Sequence, residues 1–268
     1  MGSEMCIRDS AYIGSGSFVY ENDSVSVQAF FMQKGEVTNI QYKTFLFDLL
    51  IQGKKAEFQI AKPEQQLWTE LLGDEYKEMQ DNYFSGEEWE DYPVVNVSRE
   101  GALLYCKWLT EERRLYASTE METDFRLPTK VEWTMAASAD GKMMPYPWSG
   151  ESTQNEEGCY LANFDAPNSV VATKGSCDLQ SDGAPVIAST MTYNPNEFGL
   201  YNMSGNVAEM VQIKPSNDDR GEAGTAGGGW MNSAEEIKIN APDPYKGRTE
   251  GHPNIGFRVV ITHIGSHL

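Results

Sequence analysis

Residues 196–211, NEFGLYNMSGNVAEMV, constrain this chain more than any other stretch. Phe198, Leu200, Tyr201 and Met203 are apolar anchors. Between them lie Gly199 and Gly205, where the backbone can turn left-handed or be approached closely. Asn206 and Glu209 carry oxygen-bearing side chains on either side of backbone carbonyls, an arrangement that suits a hard cation such as calcium. The plainer reading of the same residues is a turn followed by a short buried segment.

Ahead of this stretch the chain is periodic. Residues 25–33, VSVQAFFMQ, are rich in β-branched and aromatic side chains and predict a strand. Thr38 and Gln41 form a capping box. The helix behind it carries Tyr42, Phe45, Leu46, Leu49 and Leu50 on one face. A short helix is expected over 63–72, stopped by Gly73, and an acidic, aromatic surface excursion over 74–91. Ser98 caps a helix over 99–115 that ends in Arg113 and Arg114, favourable at the negative end of the helix dipole. A polar link over 116–124 leads to a second capping box, Thr129 with Glu132, and a helix that buries Trp133 and Ala137. After residue 140 regularity fades, with strands expected at 185–188, 227–231 and 256–262.

At 268 residues one large core is affordable to the chain. Forty acidic against 21 basic residues leave a net charge of −19, which argues against binding nucleic-acid phosphates. No apolar run is long enough to span a bilayer. No signal peptide is recognised, and Cys6 lacks the small and apolar residues expected before a lipid-modified cysteine. Residues 1–16 are read as a non-native or disordered leader, 17–263 as one domain and 264–268 as a tail. Cys106 is expected as a small buried hydrophobe. Cys159 and Cys177 either pair in an oxidising compartment or remain two thiols.

FGLYNMSGNVAEMV resembles the FGLYDMxGNVWEW signature of the formylglycine-generating enzyme (sulfatase-modifying factor) family. EVTNIQYKTFL at 36–46, YPVVNVSREGALLYCKWL at 92–109 and FRLPTKVEWTMAA at 125–137 resemble further family segments, in the family's order. YPW at 146–148, LANF at 161–164, GGGW at 227–230 and GFRVV at 256–260 extend the match. The resemblance implies an α+β fold: a single loop-rich domain, the formylglycine-generating-enzyme variant of the C-type lectin fold, with low regular secondary structure.

It also implies a chemistry that this chain lacks at one place. Family enzymes oxidise a sulfatase cysteine to formylglycine, with dioxygen and a copper(I) ion held by two thiolates, soft ligands for a soft ion. The thiolates follow a GGSW element as C-x4-C. Here that place reads GGGWMNSAEEIKIN, with Asn232 and Ile237 where the cysteines are expected, so copper is not expected. An iron site or a serine–histidine arrangement finds no support either: the histidines are His252, His263 and His267, and no nucleophile-elbow motif occurs.

The resemblance further implies two structural calcium sites. One uses Asn163, the Phe164 carbonyl and Asp182; the other uses Asn206, the Val207 carbonyl and Glu209. Trp230, Asn232, Ser233, Glu235 and Arg258 are candidates for a peptide cleft, although Arg258 reads first as a buried ion-pair partner and Trp230 as a core residue beneath the cleft. The expectation is a non-catalytic structural or protein-binding module. Its wording is similar to extracytoplasmic members in gliding-motility and type IX secretion machinery, whose components would be its partners. The alternatives are a formylglycine-generating oxidase and a lectin-like binding domain.

Overall fold

Thr38 opens the first long helix. Its hydroxyl accepts the Gln41 amide and the Gln41 side chain accepts the Thr38 amide, so two otherwise orphaned donors are satisfied reciprocally. The computed structural model describes residues 9–116, 122–138, 144–166, 186–213 and 221–264. Six α-helices are described: α1 (Asn39–Ile51), α2 (Lys55–Ala61), α3 (Leu67–Leu72), α4 (Lys77–Asn82), α5 (Arg99–Tyr116) and α6 (Lys130–Ala137). α6 repeats the device of α1, with Thr129 and Glu132 as its box.

Nine strands form three sheets among the described residues. β1 (Ser10–Ile13), β4 (Phe30–Gln33), β9 (Val260–Ile264) and β5 (Glu122–Arg126) make an antiparallel sheet in the order β1-β4-β9-β5. β2 (Gly16–Tyr20) and β3 (Asp23–Val27) form a hairpin turned by Glu21 and Asn22, both with positive φ. β7 (Ala223–Ala226), β6 (Ala208–Gln212) and β8 (Ile255–Gly256) form the third sheet, with β6 and β8 parallel.

The main core lies between α1 and α5 and the inner residues of the sheets, with Tyr42, Phe45, Tyr105, Leu109, Phe257 and Ile261 at its centre. Tyr42 and Tyr105 stack at 5.5 Å, and the Tyr42 hydroxyl donates to the Ala61 carbonyl at 2.8 Å. Burial of the aromatic ring is therefore not opposed by an unpaired hydroxyl. A second core joins β1 and β4 to Trp133, Ala136 and Ala137 of α6.

Several boundaries differ from the sequence expectation. The leader proposed for residues 1–16 is too long: Ser10–Ile13 pairs with Phe30–Gln33, and Ile13 is fully buried. Four residues carry too little period to be distinguished from a polar leader. The strand expected over 25–33 is two strands in different sheets, broken at Gln28 and Ala29. Part of the polar link at 116–124 is strand β5, and 227–231 is a turn rather than a strand. α2 goes unseen in the sequence because only Ala61 of its residues is buried, so no apolar face marks it.

Candidate functional site

Glu209 sits on β6, a strand buried at every position, opposite Ala226 of β7 and Gly256 of β8. Two residues beyond β8, Arg258 turns into the same interior. Arg258 Nε reaches Glu209 Oε2 at 2.6 Å and Nη2 reaches Oε1 at 2.5 Å. Nη1 donates to the Gln33 and Lys34 carbonyls at 3.1 and 2.9 Å, and Nη2 also to the Tyr201 carbonyl at 2.7 Å. Every guanidinium N–H thus has an acceptor. Trp133 Nε1 donates to Glu209 Oε2 at 2.8 Å.

A second carboxylate, Glu36, lies beside this pair and is 1% exposed. Asn206 Nδ2 donates to it at 2.8 Å, and Asn202 Nδ2 to both of its oxygens at 3.2 Å. Burial pushes the Glu36 carboxyl up to about 7; Arg258 opposes that shift and the Glu209 charge reinforces it. Burial also works against the Arg258 charge, but Glu209 and then Glu36 outweigh it, and the guanidinium pKa is raised.

The local backbone explains why the sequence reads NMSGN here. Asn202 and Asn206 both have positive φ, 53° and 64°, a region that asparagine tolerates better than most residues. Gly205 has φ 77°, and a Cβ there would meet the Asn163 carbonyl oxygen at 2.3 Å.

This geometry corrects the cation site drawn through Asn206, Val207 and Glu209. Asn206 Oδ1 already accepts from the Ala188 amide at 2.9 Å and from Asn163 Nδ2 at 3.4 Å. The Glu209 carboxylate is neutralised by a bidentate guanidinium. Those side-chain oxygens are committed to protein donors and do not fit a calcium ion. At the other site, Asn163 Nδ2 donates to the Val186 carbonyl at 2.8 Å, and the Phe164 carbonyl accepts the Ala166 amide at 2.9 Å. Asp182 lies outside the described residues, as does Cys177; Cys159 is disulfide-bonded. Among the described residues no group of three or more His, Cys, Asp or Glu side chains is placed to hold a metal.

The turn after the glycines is built without thiols. Asn232 Oδ1 accepts the Gly229 amide at 2.9 Å and Asn254 Nδ2 at 2.7 Å. Asn254 Oδ1 accepts the Met231 amide at 3.1 Å. Ile237 is fully buried and packs with Tyr146, Ala162 and Phe164. Ser233 and Glu235 are exposed, Glu235 pairing with Lys238 at 2.6 Å. Trp230 stacks on Trp68 at 6.4 Å and donates to the Pro253 carbonyl at 3.2 Å. Arg258 is not part of this surface, since all its donors face inward. The five proposed cleft residues therefore do not line one cleft.

The sequence pattern of the sulfatase-modifying factor enzyme 1-like domain matches residues 5–263. The chain belongs to that family. This sulfatase-modifying-factor domain is 27% identical over 243 residues to the chaperone protein LppX of Paenibacillus barcinonensis, covering 76% of this chain and 80% of that one. It is 28% identical over 146 residues to the inactive C-alpha-formylglycine-generating enzyme 2 of Bos taurus, covering 54% and 40% of the two chains. It is 28% identical over 184 residues to the formylglycine-generating enzyme of Thermomonospora curvata, covering 68% and 54%. The match thus spans about half or less of the length of the two relatives named for formylglycine generation. Among solved structures, CarF superposes with a TM-score of 0.59 at 19% identity, over 96% of this chain and 98% of that one. PvdO from Pseudomonas aeruginosa superposes with a TM-score of 0.60 at 16% identity, over 94% and 93%. The sulfatase-modifying-factor domain therefore has the fold expected: mixed α and β, a single domain, with modest regular structure.

Two residues of this interior were not singled out from sequence. Glu36 and Asn254 sit in ordinary-looking segments, and each is defined by partners far along the chain or across a turn. The repeated asparagines of the NMSGN and HPNIG segments are the available signal, because a polar amide beside glycine in an apolar run implies a hydrogen-bonded turn.

Proposed function

We propose that this domain is a non-catalytic member of the family that works as a structural or protein-binding module. The observation that carries the reading is the turn at Asn232 and Ile237. Where the family resemblance puts two copper-binding thiolates, one position is a doubly hydrogen-bonded amide and the other a fully buried aliphatic side chain. Neither group ligates copper(I). The likeness to a relative named as inactive and to one named as a chaperone supports the same reading. A chaperone-like role would make the partner a protein client, and an extracytoplasmic setting near secretion machinery fits the family wording.

The test is incubation with copper(I), dioxygen and a peptide carrying the sulfatase C-x-P-x-R motif, followed by peptide mass. Unchanged mass beside an active family enzyme is expected. Conversion of the cysteine to an aldehyde would establish the alternative, a formylglycine-generating oxidase, which the likeness to the Thermomonospora curvata enzyme favours. Any calcium site is proposed at Asn163, Phe164 and Asp182 rather than at Glu209.

A further inference from the structure

Lys130 is the first residue of α6, immediately after the Thr129 cap. A lysine at that position of a short helix ordinarily extends into water. Here the β2–β3 hairpin folds across it, and the side chain lines a cavity of about 530 Å³ between the hairpin tip and the 240–246 segment. The ammonium lies over the Trp133 ring, 5.2 Å from its centroid, and makes one long contact with the Thr225 carbonyl at 3.5 Å. Among the described residues no carboxylate lies within ion-pair distance of it.

The acids nearby are otherwise engaged or at the mouth. Asp243 accepts from the Thr225 amide and hydroxyl, both at 2.6 Å, and from the Tyr245 amide at 2.9 Å. Glu21 is at the exposed hairpin tip. Lys246, on the opposite wall, pairs with Glu222 at 3.2 Å. Around the amine, the hairpin thus presents Glu21 and the Tyr20 phenol, and the 240–246 segment presents Asp243 and Lys246. β7 presents the Thr225 carbonyl, and α6 itself the neutral indole of Trp133. The indole face favours the ammonium; against that, a half-buried primary amine that opens onto a cavity and has no ion pair among the described residues is an arrangement for a nucleophilic lysine.

We propose that Lys130 is a reactive-amine site that takes small aldehydes from this cavity as imines. The nitrogen lone pair attacks the carbonyl carbon, forming the C–N bond, and the carbonyl oxygen takes up a proton. The carbinolamine then loses water, leaving R–CH=N–Lys130. One amine and one aldehyde give one imine and one water, and no oxidant or reductant is consumed. Burial lowers the Lys130 pKa to about 8, against the smaller opposing effects of Asp243 and then Glu21. At neutral pH the free amine is therefore far more populated than in an exposed lysine of pKa about 10.4.

The full chain is treated with propanal and cyanoborohydride at pH 7, and each lysine is followed by peptide mass. Lys130 is expected to be alkylated about tenfold faster than the exposed lysines, with a labelling midpoint near its lowered pKa. Lys130→Arg removes that fast site. Glu21→Gln, which removes an exposed negative charge, is expected to move the midpoint lower while leaving the fold intact. Labelling spread over lysines in proportion to exposure, or a Lys130 midpoint in the ordinary lysine range, would overturn the proposal.

Discussion

Arg258 and Glu209 meet two-to-two in the interior, with side chains 0% and 1% exposed. Such a pair is worth little relative to an apolar replacement of both residues, yet it is costly to break from one side. Arg258→Met leaves Glu209 and Glu36 without their cation. It is expected to lower the unfolding free energy by about 3–5 kcal/mol in urea titration. The double variant Arg258→Met/Glu209→Gln recovers part of that loss. A loss under about 1 kcal/mol in the single variant would mean that the pair is not the organising contact described.

Glu36 makes stability depend on pH in an unusual direction. Its folded pKa of about 7 lies above its ordinary value of 4.5, so the folded state holds the proton more tightly. The contribution is full below the ordinary value and is lost as pH rises through about 7. His252 works oppositely: burial, then Arg248, lowers it from 6.5 to about 4. Its contribution is present above 6.5 and lost as pH falls toward 4. In a His252→Gln background, urea midpoints are expected to rise from pH 7 to pH 5, and Glu36→Gln flattens that rise. An unchanged slope in the second variant would remove Glu36 from the account.

Gly205 and Gly247 separate backbone strain from crowding. Both have positive φ, 77° and 81°. A Cβ at Gly247 meets nothing within 4 Å, whereas at Gly205 it meets a backbone oxygen at 2.3 Å. Gly247→Ala is expected to cost about 1–2 kcal/mol and Gly205→Ala clearly more, by thermal unfolding. Equal losses would show that the 196–211 turn can shift to make room.

Asn232→Ala tests the turn that stands at the thiolate position. It strands the Gly229 amide and one Asn254 amide hydrogen, both buried. The expected loss is about 1–3 kcal/mol for each unsatisfied donor, with Asn232→Asp tolerated better than alanine.

Calcium is expected to act away from Glu209. Saturation at about 100 times Kd adds about 2.7 kcal/mol and raises the melting temperature by several degrees over chelator. Asp182→Asn abolishes the difference. Identical melting of the parent chain with calcium and with chelator would dispose of the site.

The helices α1, α5 and α6 were legible because their signals are local; α2 and α4, which bury one residue each, were not. The Thr38 and Thr129 boxes and the face shared by Tyr42, Phe45, Leu46 and Leu49 each need only a few neighbouring residues. The resemblance carried the fold. The interior chemistry was less legible. Glu209 invites a cation reading by its spacing from Asn206, and only the approach of Arg258 from the far end of the chain shows what occupies its oxygens. Glu36 lies next to a capping box and gives no local hint of burial. Lys130 reads as a solvated helix-start lysine until the hairpin from residues 16–27 is placed over it.

Strand β9 has a temporal consequence. It lies between β4 and β5, pairing Phe31 with Ile261 and Phe125 with the same residue. Until residues 260–264 have been synthesised, β4 and β5 have no common neighbour, and Arg258 has not arrived to neutralise Glu36 and Glu209. At about 5–20 residues per second, the span from Glu36 to Arg258 takes on the order of tens of seconds, and that from Glu209 to Arg258 about 2–10 seconds. For that time the β1–β4 pair and β5 have no strand between them, so the four-stranded sheet cannot close. Final closure then sets the moment at which the domain commits to its native state.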